Sequence, residues 1–147
     1  MTPKLHAAAG TLALFTIATF WSSTIVTELF GSHALIAQTK TLILWGMVGL
    51  IPAMATAGAT GAALGKKRKG PVIARKSRRM KIIAANGLLI LLPSAVFLAM
   101  RAGSGQFDTL FYSIQALELI AGATNITLLT ANLRDGLAIA ARRKKPA

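Results

Sequence analysis

The sequence predicts an all-α integral membrane protein with four transmembrane helices, and two observations support this fold class. Hydrophobic residues make up 54% of the 147 residues, charged residues make up 14%, and the mean hydropathy is +0.58. A soluble domain of this length could not cover so much apolar surface. The apolar residues also form four runs, each long enough to provide the roughly 20 residues with which a helix crosses a bilayer.

The four helices are expected at about residues 5–30, 40–64, 82–100 and 110–133, in a single domain that covers residues 1–147. There is no cysteine, which excludes disulfides, thiolate metal sites and covalently attached c-type haem.

The distribution of Lys and Arg predicts which way the helices run. Of the 17 basic residues, nine lie in the segment 66–81 and five follow the last apolar run. Only Lys40 and Arg101 fall in the other two connections. Because cytoplasmic loops are rich in Lys and Arg, this pattern predicts an up-down-up-down bundle with both termini in the cytoplasm. A bacterial inner membrane is the expected location of such a multi-pass protein.

Two basic segments, the loop 65–81 and the tail 134–147, are expected on the cytoplasmic side. The loop is expected to be solvated and to touch anionic lipid headgroups. No aromatic residues lie among its basic residues to stack on bases, so nucleic acid is not an expected partner.

The first helix has an ionisable residue near each end, His6 at the inner end and Glu28 at the outer end. Lys40 or Arg101 is expected to pair with Glu28 at the outer boundary. A metal site formed by Glu28, His33 and Asp108 is an alternative, although their spacing matches no metal-binding motif.

The second and third helices each contain a proline, Pro52 and Pro93, and both are expected to break their helices. Pro52 cannot donate a hydrogen bond to the carbonyl of Val48, which is therefore expected to be free. Small residues at steps of three and four predict that the second helix packs closely against a neighbour. These residues are Gly46, Gly49, Ala53, Ala57 and Gly61.

The fourth helix carries a polar face, and this face is the strongest candidate for a functional site. Its residues follow one another at steps of three, four, three and seven, which places them on one side of a helix. They are Gln115, Glu118, Gly122, Asn125 and Asn132. Carboxamides and a carboxylate facing lipid would be very costly, so this face is expected to point into the bundle.

Glu118 lies about 12 Å below the outer surface if each residue rises about 1.5 Å along the helix. No Lys or Arg is expected at that depth, so the sequence predicts a neutral carboxyl that donates a hydrogen bond to the free carbonyl of Val48. Its role is left open between a proton carrier and a packing lock. Asn125 is expected to lie level with Asn86 on the third helix, as an interhelical amide pair.

The run Leu5-His6-Ala7-Ala8-Ala9-Gly10 resembles a helix start of the membrane b-type cytochromes, in which a small residue four positions after the His admits the porphyrin. This resemblance implies haem b with His6 as an axial ligand. No second His lies at the same depth, and His33 is on the opposite side of the bilayer. Met80 is the candidate second ligand.

Three segments resemble small four-helix bacterial inner-membrane proteins: Leu42–Gly58, Lys81–Pro93 and Phe111–Gly136. The resemblance implies the fold and no reaction. No nucleophile–base constellation is present, so no catalytic residue is predicted and an enzyme is not expected. Three functions remain: an accessory or partner-binding subunit of a membrane complex, including a homo-oligomer; a haem-bearing electron carrier; and a small transporter or proton pathway that uses Glu118.

Overall fold

The computed structural model describes residues 3–66 and 70–144, which are helical almost throughout and include no strand. The helices are α1 (Pro3–Phe30), α2 (His33–Lys66), α3 (Pro71–Asn86), α4 (Leu92–Gly103) and α5 (Thr109–Lys144). A π-helical segment, Gly87–Leu91, joins α3 to α4 in one continuous rod. The bundle therefore has four rods, each long and apolar enough to cross a membrane. This confirms the predicted fold class. Below, the outer end is the one with residues 31–32 and 104–108, and the inner end is the opposite one.

α2 begins seven residues earlier than the sequence analysis predicted. The connection from α1 is only two residues long, Gly31 and Ser32, and the Ser32 hydroxyl accepts a hydrogen bond from the backbone N–H of Leu35 (3.3 Å). A serine in this position satisfies one of the free N–H groups at a helix start. As a result Lys40 does not lie at the start of the helix, but about 10 Å along the helix axis from it.

The basic segments are also more helical than expected. α2 extends to Lys66, and α3 starts at Pro71, where a proline at the first helical position is favourable because its missing N–H would have no partner anyway. Residues 67–69 of the predicted loop lie outside the described residues, but Arg75–Lys81 are on a helix rather than in a loop. α5 likewise continues through the predicted tail to Lys144, and residues 145–147 are outside the described range.

The two prolines behave differently. α2 continues through Pro52 as an α-helix, contrary to the predicted break, because a proline removes only one backbone hydrogen bond and a packed membrane helix can accommodate that loss. Pro93 follows the π-helical segment, in which the N–H of Leu92 donates to the carbonyl of Gly87, five residues earlier. The third rod is therefore irregular directly before Pro93, where a break was predicted.

The rods are arranged in a square. α1 packs against α2 and α5, and the α3–α4 rod packs against the same two helices. Within the described residues the backbone of α1 makes no close contact with that rod, so α1 and α3 face each other across the bundle. Two groups of buried side chains fill the space. An outer cluster comprises Ile36, Leu98, Ala102 and Phe111, and an inner cluster comprises Ile17, Ile83 and Leu129.

Candidate functional site

A cavity of about 1190 Å³ occupies the inner half of the bundle and reaches its middle. His6, Lys76 and Asn132 line it near the inner end, and Trp21 and Glu118 line its deep end. Most of the wall between them is apolar. No member of the outer cluster contributes to the described wall, so the cavity ends at the level of Glu118.

A buried ion pair stands at this deep end. The Lys40 ammonium lies 2.6 Å from Glu118 Oε2, and the two side chains are 1% and 12% exposed. Lys40 also donates to the Thr24 hydroxyl (3.4 Å), and the side-chain amide of Gln115 donates to the same Glu118 oxygen (2.9 Å). Burying two charges is costly, and mutual attraction together with additional hydrogen bonds offsets that cost. The pair joins α2 to α5 across the bundle.

This arrangement corrects two predictions from the sequence. Glu118 is not a carboxyl without a basic neighbour, because the early start of α2 brings Lys40 to its depth. Val48 faces outward, with 67% of its surface exposed, and is not the partner of Glu118. Nor does either predicted cation bind Glu28, since Lys40 pairs with Glu118 and Arg101 pairs with Asp108.

Glu28 nevertheless belongs to the same polar cluster. It lies one helical turn beyond Thr24 on α1, within electrostatic range of Lys40 and Glu118. Its Oε1 atom is buried and has no hydrogen-bond partner in the described structure, and the same is true of Gln115 Oε1. The cluster thus contains two carboxyl groups and one ammonium, with two acceptor oxygens that lack a donor. Unsatisfied buried acceptors are costly, so a donor that reached either oxygen would stabilise the cluster.

Asn86 and Asn125 form the amide pair that the sequence predicted. The Asn86 side chain donates to Asn125 Oδ1 and to the Ala121 carbonyl, both at 2.8 Å. Asn125, which is 1% exposed, donates in turn to the Ile83 carbonyl (3.3 Å). These bonds tie α3 to α5 beside the π-helical segment.

The polar face of α5 points inward as predicted. Gln115, Asn125 and Asn132 are buried, and the indole of Trp21 packs against Gly122.

At the inner end His6 is bound to α2. Its Nδ1 atom lies 3.1 Å from both the Ala57 carbonyl oxygen and the Thr60 hydroxyl. The Thr60 hydroxyl donates to the Thr56 carbonyl (2.6 Å), so both neighbours of Nδ1 are acceptors and we assign the ring proton to Nδ1. The other ring nitrogen, Nε2, then keeps its lone pair. Met80 packs beside the inner cluster, and both His6 and Met80 line the cavity.

The inner ends of α3 and α5 are joined by a second polar network. Arg75 and Arg79 hold Asp135 at 3.1 and 2.7 Å. Lys76, between them, donates instead to the backbone carbonyl of Asn132 (2.6 Å) and has no carboxylate within ion-pair distance in the part of the chain that the structure describes.

The outer residues that were considered as a metal site have other partners. His33 stacks on Phe107 at a ring-centroid distance of 4.1 Å. Asp108 accepts a hydrogen bond from the N–H of Phe111 (2.9 Å), which caps α5 and, followed by the charge of Arg101, lowers the pKa of this exposed carboxyl. Among residues 3–66 and 70–144, no three His, Asp or Glu side chains come together as a metal site.

No protein-family model, no curated protein and no solved structure matches this chain. The chemistry of the site therefore follows from its own residues. The sequence analysis did not place Lys40 in this site, because it expected Lys40 at the outer boundary as a partner of Glu28. Its signal was present: residues 33–39 (HALIAQT) contain no Gly or Pro and can continue a helix backwards from Lys40.

Proposed function

We propose that this protein is a small inner-membrane transport protein, in which proton binding at the Lys40–Glu118 pair opens the outer end of the cavity. The observation that carries this proposal is the buried ion pair at the closed end of a cavity that begins at the inner face. Ionisable groups within a membrane are rare because they are costly, and they mark ion and substrate pathways.

The orientation follows from the charges. Fourteen of the 17 basic residues lie in the segment 66–81 or after the last apolar run, which favours a cytoplasmic inner end. The cavity then opens toward the cytoplasm and the outer cluster closes the far side. Anionic headgroups of the cytoplasmic leaflet would surround the basic residues of α3.

Glu28 supplies a second carboxylate to which Lys40 can bind, as a switch between two states requires. When Glu118 takes a proton from the outer compartment, it loses its charge and its hold on the Lys40 ammonium. Lys40 then pairs with the Glu28 carboxylate, which satisfies the oxygen that now lacks a partner. α5 is released from α2 at this level, and the return of Lys40 expels the proton. An accessory subunit without chemistry of its own would not require such a cluster, so transport is favoured.

Proton flux into liposomes tests the proposal. Purified protein is reconstituted with a pH-sensitive dye inside, and a potassium diffusion potential drives proton entry. The parent protein should acidify the interior faster than empty liposomes, and Glu118→Gln should remove most of this flux because an amide cannot titrate. The exposed Arg75→Gln variant serves as a control and should retain it. Flux from the parent no faster than from empty liposomes would contradict the proposal.

A second candidate, haem-dependent electron transfer, rests on the geometry of His6. With Nδ1 bonded to the Ala57 carbonyl, Nε2 is the nitrogen available to a metal, and this bond would fix the ring as in many metal-binding His residues. Met80 on the opposite rod lines the same cavity. Bound haem would supply one-electron chemistry, and His6 and Met80 would hold it. A Soret band lost in His6→Ala but kept in His33→Ala would support this candidate, and colourless folded protein from haem-sufficient cells would remove it.

A further inference from the structure

The basic residues of the described cavity wall lie at one end only. Three lysines, Lys66, Lys76 and Lys81, line the inner end beside His6, whereas Glu118, at the deep end, is the one acidic residue in the described wall. Glu118 is already neutralised by Lys40. An entering molecule therefore meets positive charge at the mouth and an apolar wall beyond it.

We propose that the cavity binds an anionic amphiphile, with its acidic head group on Lys76 and its apolar chain extended toward Trp21. This inference rests on the proposed transport function and names its substrate class. A carboxylate and a phosphate monoester or diester share the required chemistry, since each offers anionic oxygens to an ammonium. The chain can belong to a free amphiphile or to a membrane phospholipid.

Lys76 is the head-group residue because, among the lysines of the described cavity wall, it alone combines partial burial with an unpaired charge. Its neighbours Arg75 and Arg79 are committed to Asp135, but Lys76 bonds only to a neutral backbone carbonyl. Gly136 leaves room for it, since a Cβ atom there would lie 3.2 Å from the ammonium nitrogen. A carbonyl oxygen satisfies one of the three N–H donors of an ammonium, and the others remain for an anion.

The size and composition of the cavity fit a chain rather than a compact polar solute. At about 1190 Å³ it exceeds the roughly 1,000 Å³ that bounds ordinary small-molecule pockets. Flexible, polarisable methionines form part of the wall and can adapt to a chain of variable shape. These are Met47, Met54 and Met80.

The two tryptophans allow a direct test. Trp21 lines the cavity, whereas Trp45 is 72% exposed and points away from the bundle. Trp45→Phe therefore leaves Trp21 as the only tryptophan. In this background, in neutral detergent, the protein is titrated with dibrominated stearate, whose bromine atoms quench a neighbouring indole. The neutral methyl ester of the same acid is titrated in parallel.

The expected result is saturable quenching of Trp21 by the carboxylate, with an apparent affinity about tenfold lower in Lys76→Gln, as for the loss of one charge-assisted hydrogen bond. Glutamine still donates to the Asn132 carbonyl, so the fold should persist, and an unchanged indole emission spectrum checks this. Arg78→Gln is the matched control. Arg78 is on the same helix, is exposed and does not line the cavity, so its loss should leave the affinity unchanged.

A second titration uses phosphatidylglycerol with brominated chains in nanodiscs. Sensitivity to Lys76→Gln there identifies a phospholipid as a ligand, and sensitivity with stearate alone identifies a free amphiphile. Equal effects of Lys76→Gln and Arg78→Gln, equal quenching by the neutral ester, or no saturable quenching in either titration would overturn the inference. The assay involves no proton flux, so its outcome is independent of the liposome experiment.

Discussion

The ammonium of Lys40 and the carboxylate of Glu118, 78 residues apart in the chain, meet at 2.6 Å inside the bundle. Both belong to helices that are long and apolar enough to cross a membrane, and the pair lies between a packed outer cluster and the cavity. The ion pair therefore links α2 to α5 and also marks the inner boundary of the closed outer end.

The first prediction concerns the stability that this pair provides. Lys40→Met should destabilise the protein by about 3 kcal/mol, because removal of one partner leaves an uncompensated buried charge. Glu118→Gln should cost less, because the amide oxygen can still accept from Lys40. The double variant Lys40→Met/Glu118→Gln should be more stable than Lys40→Met alone. Unfolding in mixed micelles that contain an increasing fraction of a denaturing detergent measures the stability of all three variants.

The exposed ion pair at the inner end provides the control. Arg75 is 54% exposed, so Arg75→Gln should change the free energy of unfolding by less than about 1 kcal/mol. A double variant that is no more stable than Lys40→Met would mean that the two charges do not interact.

The second prediction compares two glycines on α2. A Cβ atom at Gly46 would overlap the ring of Phe20, whereas nothing lies within 4 Å of one at Gly49. Gly46→Ala should therefore destabilise the protein by about 1–3 kcal/mol through overpacking. Gly49→Ala should be neutral or slightly stabilising, because alanine is the better helix former. Equal thermal melting of the two variants would show that α1 does not approach α2 at Gly46.

The third prediction concerns acid. The pKa of Asp108 is lowered from its ordinary value of 3.8, first by the hydrogen bond from the Phe111 N–H. At pH values above 3.8 this carboxyl therefore stabilises the folded state. That contribution is lost as the pH falls through the lower folded-state pKa. Asp108→Ala should therefore be less stable than the parent at neutral pH, and the difference should shrink below pH 3.8. Thermal melts from neutral pH downward measure it. A difference that is constant over this range would contradict the capping role.

Asp108→Asn separates the two partners of the carboxyl. Asparagine also caps helices, so this variant keeps the bond to Phe111 and loses only the ion pair with Arg101. Its stability at neutral pH should fall between those of the parent and Asp108→Ala.

The fourth prediction is the orientation in the membrane. Reporter fusions after Lys69 and after Ala147 should report the cytoplasm, and fusions at Ser32 and Gly105 should report the opposite side, because the basic residues are concentrated at the inner end. A signal from the opposite side at Lys69 would reverse the bundle.

Much of this fold could be predicted because hydropathy determines the number of membrane helices. The inward polar face of α5 was also predictable, since lipid excludes such side chains whatever they pack against. The match between Asn86 and Asn125 needed only the rise per residue and a common reference at the outer turn.

The ion pair could not be predicted in the same way, because it depended on where α2 begins. The turn occupies only Gly31 and Ser32, and nothing in the sequence marks the boundary between this turn and the helix, so residues 33–39 were assigned to the connection. An error of seven residues in a helix start moves a side chain by about 10 Å, which separates an interfacial lysine from a buried one. The charges of Arg75–Lys81 likewise concealed a helix, since solvated basic residues give no apolar period.

The measurement that tests the central claim most directly is the pH dependence of chemical access to the outer side of the ion pair. The protein has no cysteine, so Thr27→Cys, at a buried position one residue before Glu28, introduces a single thiol. Labelling by a membrane-impermeant thiol reagent added from the outer side is compared with that of Ser32→Cys, which is exposed in the outer connection. Relative to this control, labelling of Thr27→Cys should become faster as the pH falls, and in the Lys40→Met/Glu118→Gln background it should not depend on pH. A labelling ratio that is the same at every pH in the parent background would contradict a proton-operated outer gate.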